Sequence, residues 1–176
     1  FSDQQWMPRF GPINWTAEFV DMALVGLDTN VAGKAYGHLT HDTLDYLQNK
    51  LETLNNKPVI VAIHHPPIFT GIEKMDIQNL HESKKLKSLL SSYEGELKLV
   101  CGHVHRNIVT NFGAVTCQIA PGTSHAVTLD MREDIPNCFI KEPGAFLMHE
   151  IRGRILTHNI YIGDFDGPHM FYPDKR

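Results

Sequence analysis

Residues 58–63 read Pro-Val-Ile-Val-Ala-Ile, an apolar run with none of the in–out alternation of a strand that has one wet face. A run this short and this rich in β-branched side chains fits a strand buried on both faces, as in a parallel sheet covered by helices. Two similar runs flank it, Met22–Leu27 and Leu97–Cys101. Between the first two, Thr40 stands as N-cap before Leu44, Leu47, Leu51 and Leu54, whose spacing of three and four makes one helix face apolar. Between the second and third, Leu86, Leu89, Leu90 and Tyr93 mark another amphipathic helix, with Lys84, Lys85 and Lys87 on its wet side. The order strand–helix–strand–helix–strand predicts an α/β fold, because such crossovers join parallel neighbours and are nearly always right-handed.

Parallel strands end on one edge of their sheet, and open α/β sheets bind ligands outside those carboxyl ends. The residues delivered there are Asp28, then His64-His65-Pro66-Pro67, then Gly102-His103-Val104-His105. His103 and His105 are two apart, so in an extended segment they point the same way. Gly102 permits a sharp turn off its strand, and the proline after His65 biases that residue to extended geometry. Neutral imidazole is a good ligand for first-row transition metals. Asp28 is read as a turn residue and not as a ligand. Of the 11 histidines, His38, His41, His81, His149, His158 and His169 are assigned to surface or packing.

The remaining chain changes character. Ile108–Thr110 and Ala114–Cys117 flank a turn and predict a hairpin, as do residues 145–151 and 155–162 around Gly153. Residues 126–144, which hold Pro136 and Pro143, read as irregular, a cap or a contact arm. Residues 1–18 read as loop, with Trp6 and Trp15 packing on the body. A length of 176 residues suits one hydrophobic core. The net charge of −4 argues against a non-specific nucleic-acid binder but not against a phosphate substrate, since a bound metal supplies positive charge locally. No apolar run has the length of a membrane span, and no secretory leader is visible, so no membrane partner is expected. Cys101, Cys117 and Cys138, odd in number and without Cys-x-x-Cys spacing, suggest reduced thiols and a cytoplasmic location.

Ile63-His64-His65-Pro66-Pro67 and Cys101-Gly102-His103-Val104-His105 together resemble the last two motifs of calcineurin-like metallophosphoesterases. Pro121-Gly122-Thr123-Ser124-His125 looks like the cyclic-nucleotide phosphodiesterase branch, most of all its bacterial glycerophosphodiesterases. Phe146–His149 and Gly167–Tyr172 are similar to the ends of those enzymes, so the resemblance runs over almost the whole chain. It implies a four-layer α/β/β/α sandwich and hydrolysis of a small phosphodiester by two divalent ions (iron, manganese, zinc or cobalt). It also implies His64 and His103 on one metal and His105 on the other. His125 would be the catalytic or phosphate-contacting group, and His65 a weaker candidate for a supporting role.

The family's Asp-x-His, Gly-Asp-x-x-Asp and Gly-Asn-His-Asp/Glu motifs are not in the sequence. The expectation is therefore a carboxyl-terminal portion that starts after the third motif, lacks the first strands of its sheet, holds at most one metal weakly and is inactive alone. On this view residues 1–125 are half of the core, 126–144 a cap or oligomer-contact arm, and 145–176 a terminal hairpin and tail packing on the core. A sheet edge left open predicts a homo-oligomer. The competing functions are a non-catalytic oligomerisation or folding fragment, and a phosphomonoesterase or nuclease of the same superfamily.

Overall fold

The computed structural model describes residues 7–9 and 11–172. Trp6 lies outside them. Six strands form one sheet: β1 (Trp15–Glu18), β2 (Ala23–Gly26), β3 (Val59–Ile63), β4 (Leu97–Cys101), β5 (Ile108–Phe112) and β6 (Val115–Ile119), in the order β1-β2-β3-β4-β6-β5. β2, β3, β4 and β6 run parallel, and β1 and β5 are antiparallel edges. Residues 15–18 are thus a strand and not loop. The local pattern did not show it because four residues facing partly to solvent carry no periodicity, and only the pairing of Trp15 with Gly26 defines them.

α1 (His41–Leu54) begins where expected: the Thr40 side chain accepts a hydrogen bond from the Thr43 backbone N–H, and Asn55 ends the helix in a left-handed conformation. α2 (Glu73–Asp76) is a single turn, and α3 (Lys84–Ser91) is the second crossover helix. α1 and α3 touch, and their buried Leu44, Leu47, Leu51, Leu86 and Leu90 share one core with Val59, Val61, Ile63, Leu97, Leu99 and Cys101. Alternate residues of β3 and β4 thus face the helices, as period-two geometry requires.

The opposite face meets a separate hairpin, β9 (Ala145–Ile151) with β10 (Ile155–Tyr161). Lys98, which points away from the helices, donates to Thr157 Oγ1 at 2.6 Å, and the Ile155 N–H donates to Glu96 at 2.8 Å. Helices, sheet and hairpin form three successive layers. Between core and hairpin, residues 126–144 are irregular apart from two short strands, β7 (Ala126–Val127) and β8 (Phe139–Ile140), that pair with each other. Residues 163–172 are exposed along their length, so contact of the described carboxyl-terminal residues with the core is made by the hairpin.

Leu47 is fully buried at the centre of the helix–sheet interface. Leu47→Ala is expected to lower stability by about 2–5 kcal/mol in urea unfolding. A cost below about 1 kcal/mol would mean that α1 does not pack on the sheet as described.

Candidate metal centre

The register of the parallel strands sets the site. Ile63 lies opposite Cys101, so His64 leaves β3 beside Gly102, whose N–H donates to the His64 carbonyl at 3.0 Å. Cys101 lies opposite Ile119, and the Ala120 N–H continues the pairing to the Cys101 carbonyl. Three adjacent strands therefore end together and release His64-His65, His103-Val104-His105 and the loop that carries His125.

His103 and His105 do not leave in an extended segment. Both have positive φ, 70° and 57°, uncommon for residues other than glycine and a conformation that a surrounding structure must impose. Fully buried Val104 anchors the turn between them. The outcome is two separate pairs. His103 Nδ1 lies 3.2 Å from His64 Nε2, and His105 Nδ1 lies 3.2 Å from His125 Nε2. Gly102 does not have the positive φ that a turn-forming glycine would show; its contribution is close approach, since a Cβ there would sit 3.2 Å from His64 Nδ1. Gly122 is stricter still: a Cβ would fall 2.8 Å from the His105 Cβ and collide with the His125 carbonyl.

Ligand atoms of His64, His65 and His103 fall within 4.8 Å of one another. His65 is nonetheless poorly placed to ligate. It is buried, its Nδ1 is 2.7 Å from Thr29 Oγ1, and it also hydrogen-bonds the Ala35 backbone. Those contacts fix the ring, which meets His64 edge-on with ring centroids 4.8 Å apart. His103 is the opposite case: its Nε2 is buried with no hydrogen-bond partner, the state of a nitrogen whose lone pair suits a cation. Asp28 accepts from the Asn30 backbone and side-chain N–H groups, a turn role. The imidazole donors fit a borderline metal such as zinc or ferrous iron.

Nothing in the local sequence pattern marks Thr29 or Ser124 as part of the site. Thr29 is buried against His65. Ser124 Oγ lies 2.9 Å from His125 Nδ1 and orients the ring that faces His105.

Burial pushes His65 down to about 4, helped by the neighbouring His64. Burial likewise pushes His103 down to about 4, with His64, His65 and His105 adding repulsion. His64 is lowered by burial and then by His105, and His105 by burial and then by His125. The imidazoles are thus neutral at physiological pH, the form that binds metals.

The chain is 38% identical over 179 aligned positions to a probable glycerophosphodiester phosphodiesterase GpdQ of Arcobacter nitrofigilis, covering 99% of this chain and 65% of that protein. It is 32% identical over 115 positions to the 3′,5′-cyclic adenosine monophosphate phosphodiesterase CpdA of Pseudomonas aeruginosa, covering 61% of this chain and 42% of that one. The chain thus spans less than two thirds of the length of these relatives. In fold it is similar to a dimetal phosphatase from Danio rerio, with a TM-score of 0.53 and 14% identity, over 92% of this chain and 68% of that one. No protein-family model matches the chain. The chain is thus similar in sequence to bacterial glycerophosphodiester and cyclic-nucleotide phosphodiesterases, and in fold to a dimetal phosphatase.

Depressed histidines carry a signed consequence for the metal-free chain. Above pH 6.5 neither folded nor unfolded chain holds the extra protons, so His65 and His103 cost nothing. As pH falls from 6.5 to about 4 the unfolded chain takes up protons that the folded one refuses, and stability drops; below about 4 the loss levels off. The urea midpoint of the metal-free chain should fall from neutral pH to about pH 4 and rise again on return to neutrality. A flat or inverted profile would contradict neutral buried imidazoles.

Proposed function

We propose that the whole protein hydrolyses a small phosphodiester with the help of two divalent ions, and that this chain supplies the histidine half of the site. The observation that carries the proposal is the convergence of the His64–His103 and His105–His125 pairs at the ends of three adjacent parallel strands. The relatives' names add the substrate class: glycerophosphodiesters or cyclic nucleotides.

His64 and His103 would hold one ion and His105 the other. Bound divalent ions supply Lewis acidity at the phosphoryl oxygens and lower the pKa of water at the site. His65, fixed by Thr29, keeps His64 in place. His125 handles the proton of the leaving alkoxide or contacts the phosphate: Ser124 engages its Nδ1, which leaves Nε2 facing His105. Neutral imidazoles cannot offset the repulsion of two dications about 3.5–4 Å apart. Carboxylates from elsewhere in the whole protein must do so, and this chain alone holds one ion weakly and does not turn over.

The thiols of Cys101, Cys117 and Cys138 are free, which suits a cytoplasmic protein; no helix among the described residues is long and apolar enough to cross a membrane. Leu129, Met131, Phe139 and Ile140 in the 126–144 arm are exposed apolar groups, and we assign that arm to self-association. Sedimentation velocity should show a concentration-dependent dimer or larger species; a monomer at every concentration would overturn the assignment.

The activity test compares this chain with the full-length gene product on a chromogenic phosphodiester and the matching monoester, with added manganese. Only the full-length protein should be active, with preference for the diester. His103→Ala should lower its kcat/KM on the order of 100-fold, and Thr29→Val about 10-fold through His65. Preference for the monoester would favour a phosphatase, an inactive full-length protein would remove the catalytic reading, and turnover by this chain alone would show that carboxylates are dispensable.

A further inference from the structure

The return half of the 126–144 arm grips the His105–His125 pair from outside the sheet. Phe139 of β8 meets the His125 ring nearly edge-on, with ring centroids 5.4 Å apart. Three residues further on, Glu142 accepts two hydrogen bonds from the Arg106 guanidinium, at 2.7 and 2.9 Å. Arg106 follows His105 directly. One short segment therefore touches His125 at one end and the neighbour of His105 at the other. Its backbone is fixed on both sides. β8 pairs with β7, which starts immediately after His125, and the Ala145 N–H donates to the Gly122 carbonyl at 3.1 Å. Gly144 lies so close to the His125 loop that a Cβ there would collide with the Thr123 carbonyl.

The loop that carries His105 has other ties. The Val104 and His105 carbonyls accept from the Val127 and Gly122 N–H groups at 3.3 and 2.9 Å, and Asn107 Oδ1 accepts from Gln118 Nε2 at 2.8 Å. Those are bonds between neutral groups, and the Arg106–Glu142 pair differs in kind. An exposed ion pair with one bond contributes little, because water and salt screen it. Here the Arg106 side chain is 14% exposed and the contact is a two-bond fork, which sets angle as well as distance. The pair also cancels a charge. Arg106 lines the same cavity as His105 and His125, so without Glu142 its cation would stand unanswered beside groups proposed to hold another cation.

We propose that Glu142 is a positioning residue for the ion assigned to His105: by holding Arg106 it fixes the His105 loop against His125 and offsets a positive charge next to the ion. The inference rests on the two-ion reading above. It gives the arm a part in building the site, through a residue that touches neither ion nor substrate.

Manganese titration of the full-length gene product, followed by the electron paramagnetic resonance signal of the free ion, reads the two sites without turnover. The step that His105→Ala removes is the one at issue. Glu142→Gln keeps the side chain's size but presents an amide that cannot accept both bonds of the fork. It should weaken that step about tenfold or more and leave the other within about twofold. Adding Arg106→Gln to Glu142→Gln should cost no further affinity, because the two residues act as one unit. Unchanged or tighter binding in Glu142→Gln, equal weakening of both steps, or a double variant weaker by about a further tenfold overturns the proposal. If Glu142→Gln does not fold, Arg106→Lys keeps the charge and loses the fork; it should weaken the same step, and unchanged binding overturns the proposal. A single manganese ion in the unaltered protein instead overturns the two-ion reading, and this inference with it.

Discussion

The alignment of β3, β4 and β6 is the constraint on which the rest depends. Hydrogen bonds hold Ile63 opposite Cys101 and Cys101 opposite Ile119, so three chain segments remote in sequence stop at the same height. A slip of one residue in either ladder would exchange the faces of every side chain in the strand, moving Val61 or Leu99 out of the helix-facing core. The same packing that buries the leucines of α1 and α3 therefore fixes where the histidines emerge. Fold stability and site geometry are coupled through register.

What register brings together, electrostatics would push apart if it were charged. Four imidazoles gather in two close pairs, His64 with His103 and His105 with His125, while His65 sits behind the first. Burial and mutual repulsion lower His64, His65, His103 and His105, with His65 and His103 the most depressed. Neutral imidazole is the form that suits a bound cation. The positive φ of His103 and His105 belongs to the same design: strain of order 1–3 kcal/mol each is retained where fully buried Val104 and the Gly122 contact leave the turn no alternative.

Much of this was legible in the sequence. The β-branched run of β3, the leucine stripes of α1 and α3 and the Thr40 cap are local patterns with local causes, and the structure realises each. His64, His103 and His105 were legible because parallel topology alone sends them to one edge. Other features were not. β6 reads as half of a hairpin with β5, and nothing local reveals that it also pairs in parallel with β4; yet that pairing carries His125 to the site. The division into two histidine pairs follows from a backbone conformation that side-chain spacing does not encode. Thr29 matters through its contact with His65, far along the chain, and a single polar residue in a terminus announces nothing by itself.

We propose one assignment: His64, His103 and His105 as metal ligands and His65 as their support. Anomalous diffraction at the manganese edge, from crystals of the full-length gene product grown with manganese, tests it most directly. Two peaks are expected, one bound by His64 and His103 and the other by His105, with His65 still on Thr29. A single peak held by His65, or peaks remote from all three proposed ligands, would contradict it.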